Sequence, residues 1–188
     1  VMEDAKLQKM IPYLAFSFFA GLRPNSEIAM PKGDNRRRFL WRQFTNKTWP
    51  QTGGYQIDIP AMIDDGNGMR PATKISTSRL AELSANGKAW IDWWATHVLK
   101  DSIPDGNEPL FFSERYLRKI HDIPKAWHAD GARHTFCSNA LANWNTLGVA
   151  YWTERSGHSE SVFRSHYGSP RAPEDAAEYF AITPESLM

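Results

Sequence analysis

The chain has 188 residues, a formal net charge of +1, a single cysteine (Cys137) and eight tryptophans. That length suits one domain with a substantial core. The lone cysteine excludes an internal disulfide framework and fits a reducing, cytoplasmic setting, and no apolar run approaches the ~20 residues of a membrane span. Nor is there the charged, apolar and small-residue order of a signal peptide. The charge is low for a nucleic-acid-binding domain, so any such surface must gather its cations on one face.

The first element is a helix over 3–20, with Leu7, Met10, Ile11, Leu14 and Phe18 at three- and four-residue spacing. Pro12 predicts a kink or break within it. Gly21 ends the run, and Pro24 suits the first turn of a short helix over 24–30. A polar loop, 31–38, follows with Arg36, Arg37 and Arg38 in a row. Alternation predicts strands over 39–45 and 55–60, with Pro50, Gly53 and Gly54 between them. The Asp/Gly/Pro content of 61–72 predicts a loop, and a short third strand near 73–76 completes a small antiparallel sheet.

Beyond the sheet the chain reads as helices over 78–84 and 88–100, the latter burying Trp90, Trp93, Trp94 and Val98. A Pro/Gly-rich connector leads to a helix over 113–121 with Ser113 as N-cap. Further helices are expected over 131–144, 147–155, 159–166 and 174–181. The expected fold is therefore mixed α+β, mainly α-helical, a single domain over 1–188 with a small three-stranded antiparallel sheet.

Three clusters carry chemistry. Arg23 follows Gly21-Leu22 at a helix start, and Glu27, four residues on, shares its helical face. A guanidinium there can hold an anion with two parallel donors. Asp130 is a good N-cap and places Arg133 in a first helical turn, where backbone amides also favour an anion. His158 sits in Gly157-His158-Ser159, and Tyr167 lies nine positions after it. Each cluster alone also fits a plain structural use: a surface arginine, a core histidine, an aromatic anchoring a helix. Together they can meet at one anion, and a DNA phosphate is the anion expected.

In order and spacing these motifs resemble the catalytic domain of the tyrosine recombinases, the phage-integrase family, over nearly the whole chain. Gly-Leu-Arg with a following Glu, then His-x-x-Arg-His-Thr, then Leu-Gly-His-Ser, then a tyrosine nine residues later is that family's pattern. The stretch from Tyr167 to Pro184 looks like a bacterial integron- or transposon-type subgroup. The resemblance implies site-specific DNA recombination, with cleavage and rejoining through a 3′-phosphotyrosyl intermediate. Tyr167 would be the nucleophile, Arg23 and Arg133 would hold the non-bridging oxygens, and His158 would donate a hydrogen bond to the same phosphate. No cofactor and no metal is implied, and the sequence shows no clustered metal-ligand spacing. The partners implied are duplex DNA and further copies of the chain in a tetrameric synapse, in the cytoplasm on the nucleoid, with no membrane and no small-molecule substrate. Secondary DNA contacts would come from Arg36, Arg37, Arg38, Arg70 and Arg164. The chain begins with valine, and the expectation is an excised piece whose N-terminal DNA-clamping domain is absent, with weak, salt-sensitive DNA binding.

The chain departs from the pattern at three places. Glu27 is four rather than three residues after Arg23. Asp130 stands where the family has His or Lys, leaving His128 as a substitute donor. The hairpin lysine, the family's general acid, has no counterpart between Asp64 and Arg70, so Lys74 is the nearest candidate. Loss of a general acid costs on the order of 10²- to 10⁴-fold in rate. A slow enzyme and a catalytically impaired relative acting as a DNA-binding module therefore both remain open. A relaxing enzyme of the type IB topoisomerase kind shares the chemistry, but the small size and the tail disfavour it.

Overall fold

The computed structural model describes residues 8, 10–23, 27, 44–48, 54–59, 62–64, 69–71, 78–100, 131–142, 147–167 and 171–188, with backbone only in 44–48, 62–64 and 69–71. The described chain is mainly helical with small antiparallel sheets. Its helices are α1 (Ile11–Phe19), α2 (Ala85–His97), α3 (Gly131–Ala142), α4 (Val149–Ser156), α5 (Glu160–Tyr167) and α6 (Pro173–Phe180). Its strands are β1 (Phe44–Thr48), β2 (Tyr55–Ile59), β3 (Met62–Asp64), β4 (Met69–Pro71) and β5 (Arg79–Leu83). Among the described residues no helix is long and apolar enough to cross a membrane.

Helix α1 is apolar almost all round, and its Ile11, Tyr13, Ala15, Phe16 and Phe19 are all buried. A helix without a polar face must be surrounded, and α1 lies at the centre of the main core. Pro12 occupies its first turn, where the missing N–H costs nothing. The expected kink is therefore a helix start. On one side α1 meets α2 through Trp90, Ile91 and Trp94, and on another it meets the sheet through Ile57, Ile59, Ala81 and Leu83. The amide of Ser84 donates to the carbonyl of Phe19 at 3.0 Å, joining the end of β5 to the end of α1.

The larger sheet has the order β1-β2-β5, antiparallel throughout, with Ile57 opposite Ala81 and Tyr55 opposite Leu83. Its third strand is 79–83, which the sequence reading assigns to a helix. Leu80 and Leu83 fit helical spacing while Ala81 and Leu83 fit strand alternation, and only the ladder to β2 decides between them. The strand expected near 73–76 lies outside the described residues, as do 39–43 and the helix expected over 113–121. The loop expected over 61–72 contains a second, two-stranded sheet, with β3 and β4 paired from Met62↔Pro71 to Asp64↔Met69. The helices from α3 onward begin and end within about two residues of expectation, the ordinary uncertainty of helix ends.

A second core cluster joins α3, α4 and α5 through Phe136, Cys137, Ala140, Leu141, Trp152, Phe163 and Tyr167. Phe180 of α6 packs against both clusters. The tail folds back on its own chain. Tyr179 donates its hydroxyl proton to the carbonyl of Phe18, Asn86 Nδ2 donates to the carbonyl of Tyr179 at 3.1 Å, and Trp90 Nε1 donates to the carbonyl of Ile182 at 3.2 Å.

Strand β5 also carries a buried carboxyl on its other face. Glu82 accepts from the Tyr151 hydroxyl and faces Arg155 Nε at 3.4 Å, both on α4. Burial pushes its carboxyl up from 4.5 to about 7, against the pull of Tyr151 and Arg155. The folded chain therefore holds a proton that the unfolded chain has lost, and stability falls as pH rises from 4.5 towards 7. Glu82→Gln is expected to flatten that slope, read as thermal midpoints between pH 5 and 8. An unchanged slope would assign it to another group.

Candidate active site

Helix α1 ends at Gly21, whose φ of +60° is the left-handed conformation that glycine adopts without a side-chain penalty. A Cβ there would stand 2.4 Å from Cδ1 of Phe136, so glycine also allows the end of α1 to press against α3. That approach brings the Gly21 carbonyl to Arg133, in the first turn of α3.

The Arg133 side chain is only 2% exposed, and all its nitrogens are engaged. Nη1 donates to the Gly21 carbonyl at 2.5 Å, Nη2 to the Ser156 carbonyl at 2.6 Å, and Nε to the Tyr167 hydroxyl at 3.3 Å. Nη2 also lies 2.7 Å from Nε2 of His158. A buried guanidinium requires such partners, because an unpaired charge is costly away from water.

His158 reaches this point through the end of α4. Gly157, at φ +66°, terminates the helix, with its amide on the Glu154 carbonyl at 3.2 Å and the His158 amide on the Thr153 carbonyl at 3.0 Å. These two bonds form a Schellman motif. Gly157→Ala is expected to cost about 1–2 kcal/mol from the left-handed backbone alone. Its Cβ would in addition stand 2.8 Å from Nε of Arg79. A lower denaturant midpoint at unchanged slope is the check, and an unchanged midpoint would contradict it.

The imidazole of His158 is neutral. Burial drives its pKa from 6.5 down to about 3, and Arg133, Arg23 and Arg79 push the same way. Nδ1 of His158 lies 3.0 Å from Ser156 Oγ and 3.2 Å from Nη2 of Arg133. Because Ser156 Oγ donates to the Thr153 carbonyl at 3.3 Å and Nη2 is closer to Nε2, Nδ1 is assigned as a donor to Ser156. Nε2 is then the acceptor. It faces Arg133 and, at 3.2 Å, the Tyr167 hydroxyl.

Tyr167 is the last residue of α5 and is 8% exposed. Its ring packs on His134, His158 and Phe163 at centroid distances of 4.6, 5.0 and 5.6 Å. Its hydroxyl lies between an arginine donor and a histidine acceptor. Burial raises its pKa, and Arg133 opposes that rise.

Glu27 is the hub of the cations. Its side chain is fully buried and accepts from Nη1 of Arg23 at 2.8 Å and from the Arg23 amide at 2.7 Å. It accepts from Nη2 of Arg79 at 2.8 Å and lies 3.7 Å from Nη1 of Arg133. Burial pushes its carboxyl up, but Arg79, Arg133 and Arg23 prevail and hold it below the usual range. The four-residue spacing from Arg23 therefore still delivers a carboxylate that orients Arg23. Arg23 itself is the most open of the three arginines, 21% exposed, with Nη2 reaching the Gly157 carbonyl at 3.4 Å.

Three guanidiniums against one carboxylate leave an excess of two positive charges beside a neutral histidine and a neutral tyrosine. Such a cluster suits an anion and a nucleophilic hydroxyl. Cys137 adds no second nucleophile, since burial raises its thiol to about 12.

The fold thus brings Arg23, Glu27, Arg133, His158 and Tyr167 together from three separate stretches of chain. It adds Arg79, to which the sequence reading gave no role. Arg164 is at the surface, paired with Glu160 at 2.7 Å. Arg70 lies on β4 opposite Ile63. Asp130, His128, Lys74, Arg36, Arg37 and Arg38 lie outside the described residues.

No family model, no curated protein and no solved structure matches the chain.

Proposed function

We propose that the chain cleaves and rejoins DNA as a tyrosine recombinase, forming a 3′-phosphotyrosyl intermediate in site-specific recombination. The observation that carries this reading is the Tyr167 hydroxyl. It is held 3.3 Å from Nε of Arg133 and 3.2 Å from Nε2 of His158, within a cluster of three arginines. Phosphoryl transfer needs its equatorial charge neutralised and its nucleophile aligned, and this cluster supplies both.

Arg23, the more exposed arginine, meets the phosphodiester first and gives up its long bond to Gly157. A non-bridging oxygen then takes donors of Arg133 that now serve Tyr167 and His158. Burial is the main cause of the low basicity of His158, and the phosphate's negative charge offsets the smaller share that Arg133, Arg23 and Arg79 contribute. The tyrosine Oη attacks phosphorus and gives its proton to Nε2, which in that protonated form donates the hydrogen bond to the phosphate that the resemblance implies for His158. The bond from phosphorus to the 5′-oxygen breaks, and that oxygen takes up a proton and leaves as a hydroxyl. Lys74 is the candidate acid for that proton. Rejoining reverses these steps and conserves the phosphodiester bond energy in the covalent link. Duplex DNA and further copies of the chain are the partners in this reading, and the cytoplasmic nucleoid is its setting.

One observation favours a second reading, a DNA-binding module without cleavage. Every nitrogen of Arg133 is already satisfied by protein groups, so a phosphate must displace them. A pool of nicked duplexes with randomised target arms separates the two. The enzyme is expected to leave a covalent protein–DNA adduct on a denaturing gel. Retention of the duplexes without any adduct would favour the module and overturn cleavage.

A further inference from the structure

Arg79 joins two parts of the site that come from distant stretches of chain. Its Nη2 donates to Glu27 Oε1 at 2.8 Å, and its Nη1 donates to the carbonyl of Arg155 in the last turn of α4. Glu27 holds Arg23, while the end of α4 turns His158 into the site. The base of the side chain is anchored as well, since β5 pairs with β2 over five consecutive residues from Arg79 to Leu83. The guanidinium lies against Gly157, where even a Cβ would stand 2.8 Å from its Nε. At 10% exposure it is enclosed by these groups, so it acts through them.

We propose that Arg79 is a positioning residue for the phosphate site: its two arms clamp Glu27 to the C-terminal end of α4 and set the spacing between Arg23 and His158. This role rests on the strand-cleaving reading. A phosphodiester must touch both residues at once, and a misplacement of ~1 Å costs on the order of 100-fold in rate. Only a planar fork serves two acceptors in fixed directions. A lysine ammonium keeps the charge but is a point donor on a flexible stem.

The test is Arg79→Lys, measured on the nicked duplexes and also without DNA. At saturating DNA, adduct formation is expected to slow roughly 10- to 100-fold. The half-saturating DNA concentration is expected to move less than about threefold, well under the tenfold of 1.4 kcal/mol. A wild-type rate, or a loss confined to affinity, overturns the clamp. Without DNA, the readout is solvent exchange of the Arg133 Nε–H, which is buried and bonded to Tyr167. It is expected to quicken at least about tenfold in Arg79→Lys, as local opening becomes easier. The amide of Phe163, bonded to the Ser159 carbonyl at 2.9 Å, is the internal control and is expected to hold. Equal Arg133 exchange in the two proteins overturns the proposal. Faster exchange at both probes also overturns it, by reducing Arg79 to a residue that stabilises the whole fold. If the wild-type chain forms no adduct, the strand-cleaving reading fails first, and the exchange measurement alone decides the clamp.

Discussion

Tyr167→Phe is expected to abolish the covalent protein–DNA adduct while leaving the fold and duplex binding in place. The substitution removes one oxygen and keeps the ring that packs on His134, His158 and Phe163. The folding cost is that of leaving the buried Arg133 Nε without its acceptor, about 1–3 kcal/mol. The chemical cost is total, because no other atom in the cluster can form the phosphotyrosyl bond. Tyr179 does not substitute, since its hydroxyl is spent on the Phe18 carbonyl within the core and burial raises its pKa. An adduct that persists in Tyr167→Phe would place the nucleophile elsewhere and remove the central claim. Loss of the adduct together with loss of the thermal transition would mean that the variant tests folding rather than chemistry. Tyr167→Phe is therefore read beside its own melting curve.

The second large effect is expected at Glu27. Glu27→Ala leaves Arg23, Arg79 and Arg133 facing one another without their shared counter-charge. Breaking a buried ion pair from one side costs about 3–5 kcal/mol, because the remaining charge stays buried and unpaired. Here up to three charges are affected, so the effect is expected at the upper end of that range. Unfolding in denaturant measures it, and a change below ~1 kcal/mol, typical of an exposed pair, would contradict the geometry.

The sign of the pH dependence follows from the carboxyl. Its folded pKa lies below the unfolded value of 4.5. Its stabilisation is therefore complete above 4.5 and is lost as pH falls through the folded value. Glu27→Gln, similar in size but uncharged, is expected to lose that acid limb. This window lies below the one in which Glu82 acts, so the two carboxyls can be measured separately. Removing Glu27 and Arg79 together is expected to cost less than the sum of the single losses, since the two are in direct contact.

Much of the site was legible as residue types in order. Arg23, Glu27, Arg133, His158 and Tyr167 were named from short motifs, and local physics explains why each sits where it does. Gly21 must end α1 because its backbone is left-handed, and Gly157 must end α4 for the same reason. Periodicity placed α3 to α6 within about two residues, because each has one buried stripe that reads directly as spacing.

The misreadings share one cause. Arg79–Leu83 fits a helix or a strand by local pattern, and only pairing with β2 makes it a strand. The hairpin of β3 and β4 has strands of three residues each, too short for alternation to register. No local motif marks Arg79, because its place follows from the strand it opens.

The sequence by itself determined which side chains exist to do the chemistry, and where the helices from α3 onward start and stop. Those are properties of neighbouring residues, governed by backbone conformation and apolar spacing. The helix expected over 88–100 is α2 at Ala85–His97, three residues earlier, and that expected over 78–84 is strand β5. Only the tertiary structure decided that Glu27 is one buried anion shared among three arginines. Only it decided that His158 is neutral with Nε2 turned to the tyrosine, and that Tyr167 is packed rather than exposed. Charge state and orientation depend on burial and on partners up to 134 residues away along the chain, as in the bond from Arg23 to Gly157. No local pattern encodes those distances; the packing of α1 against α3 and of β5 against α4 does.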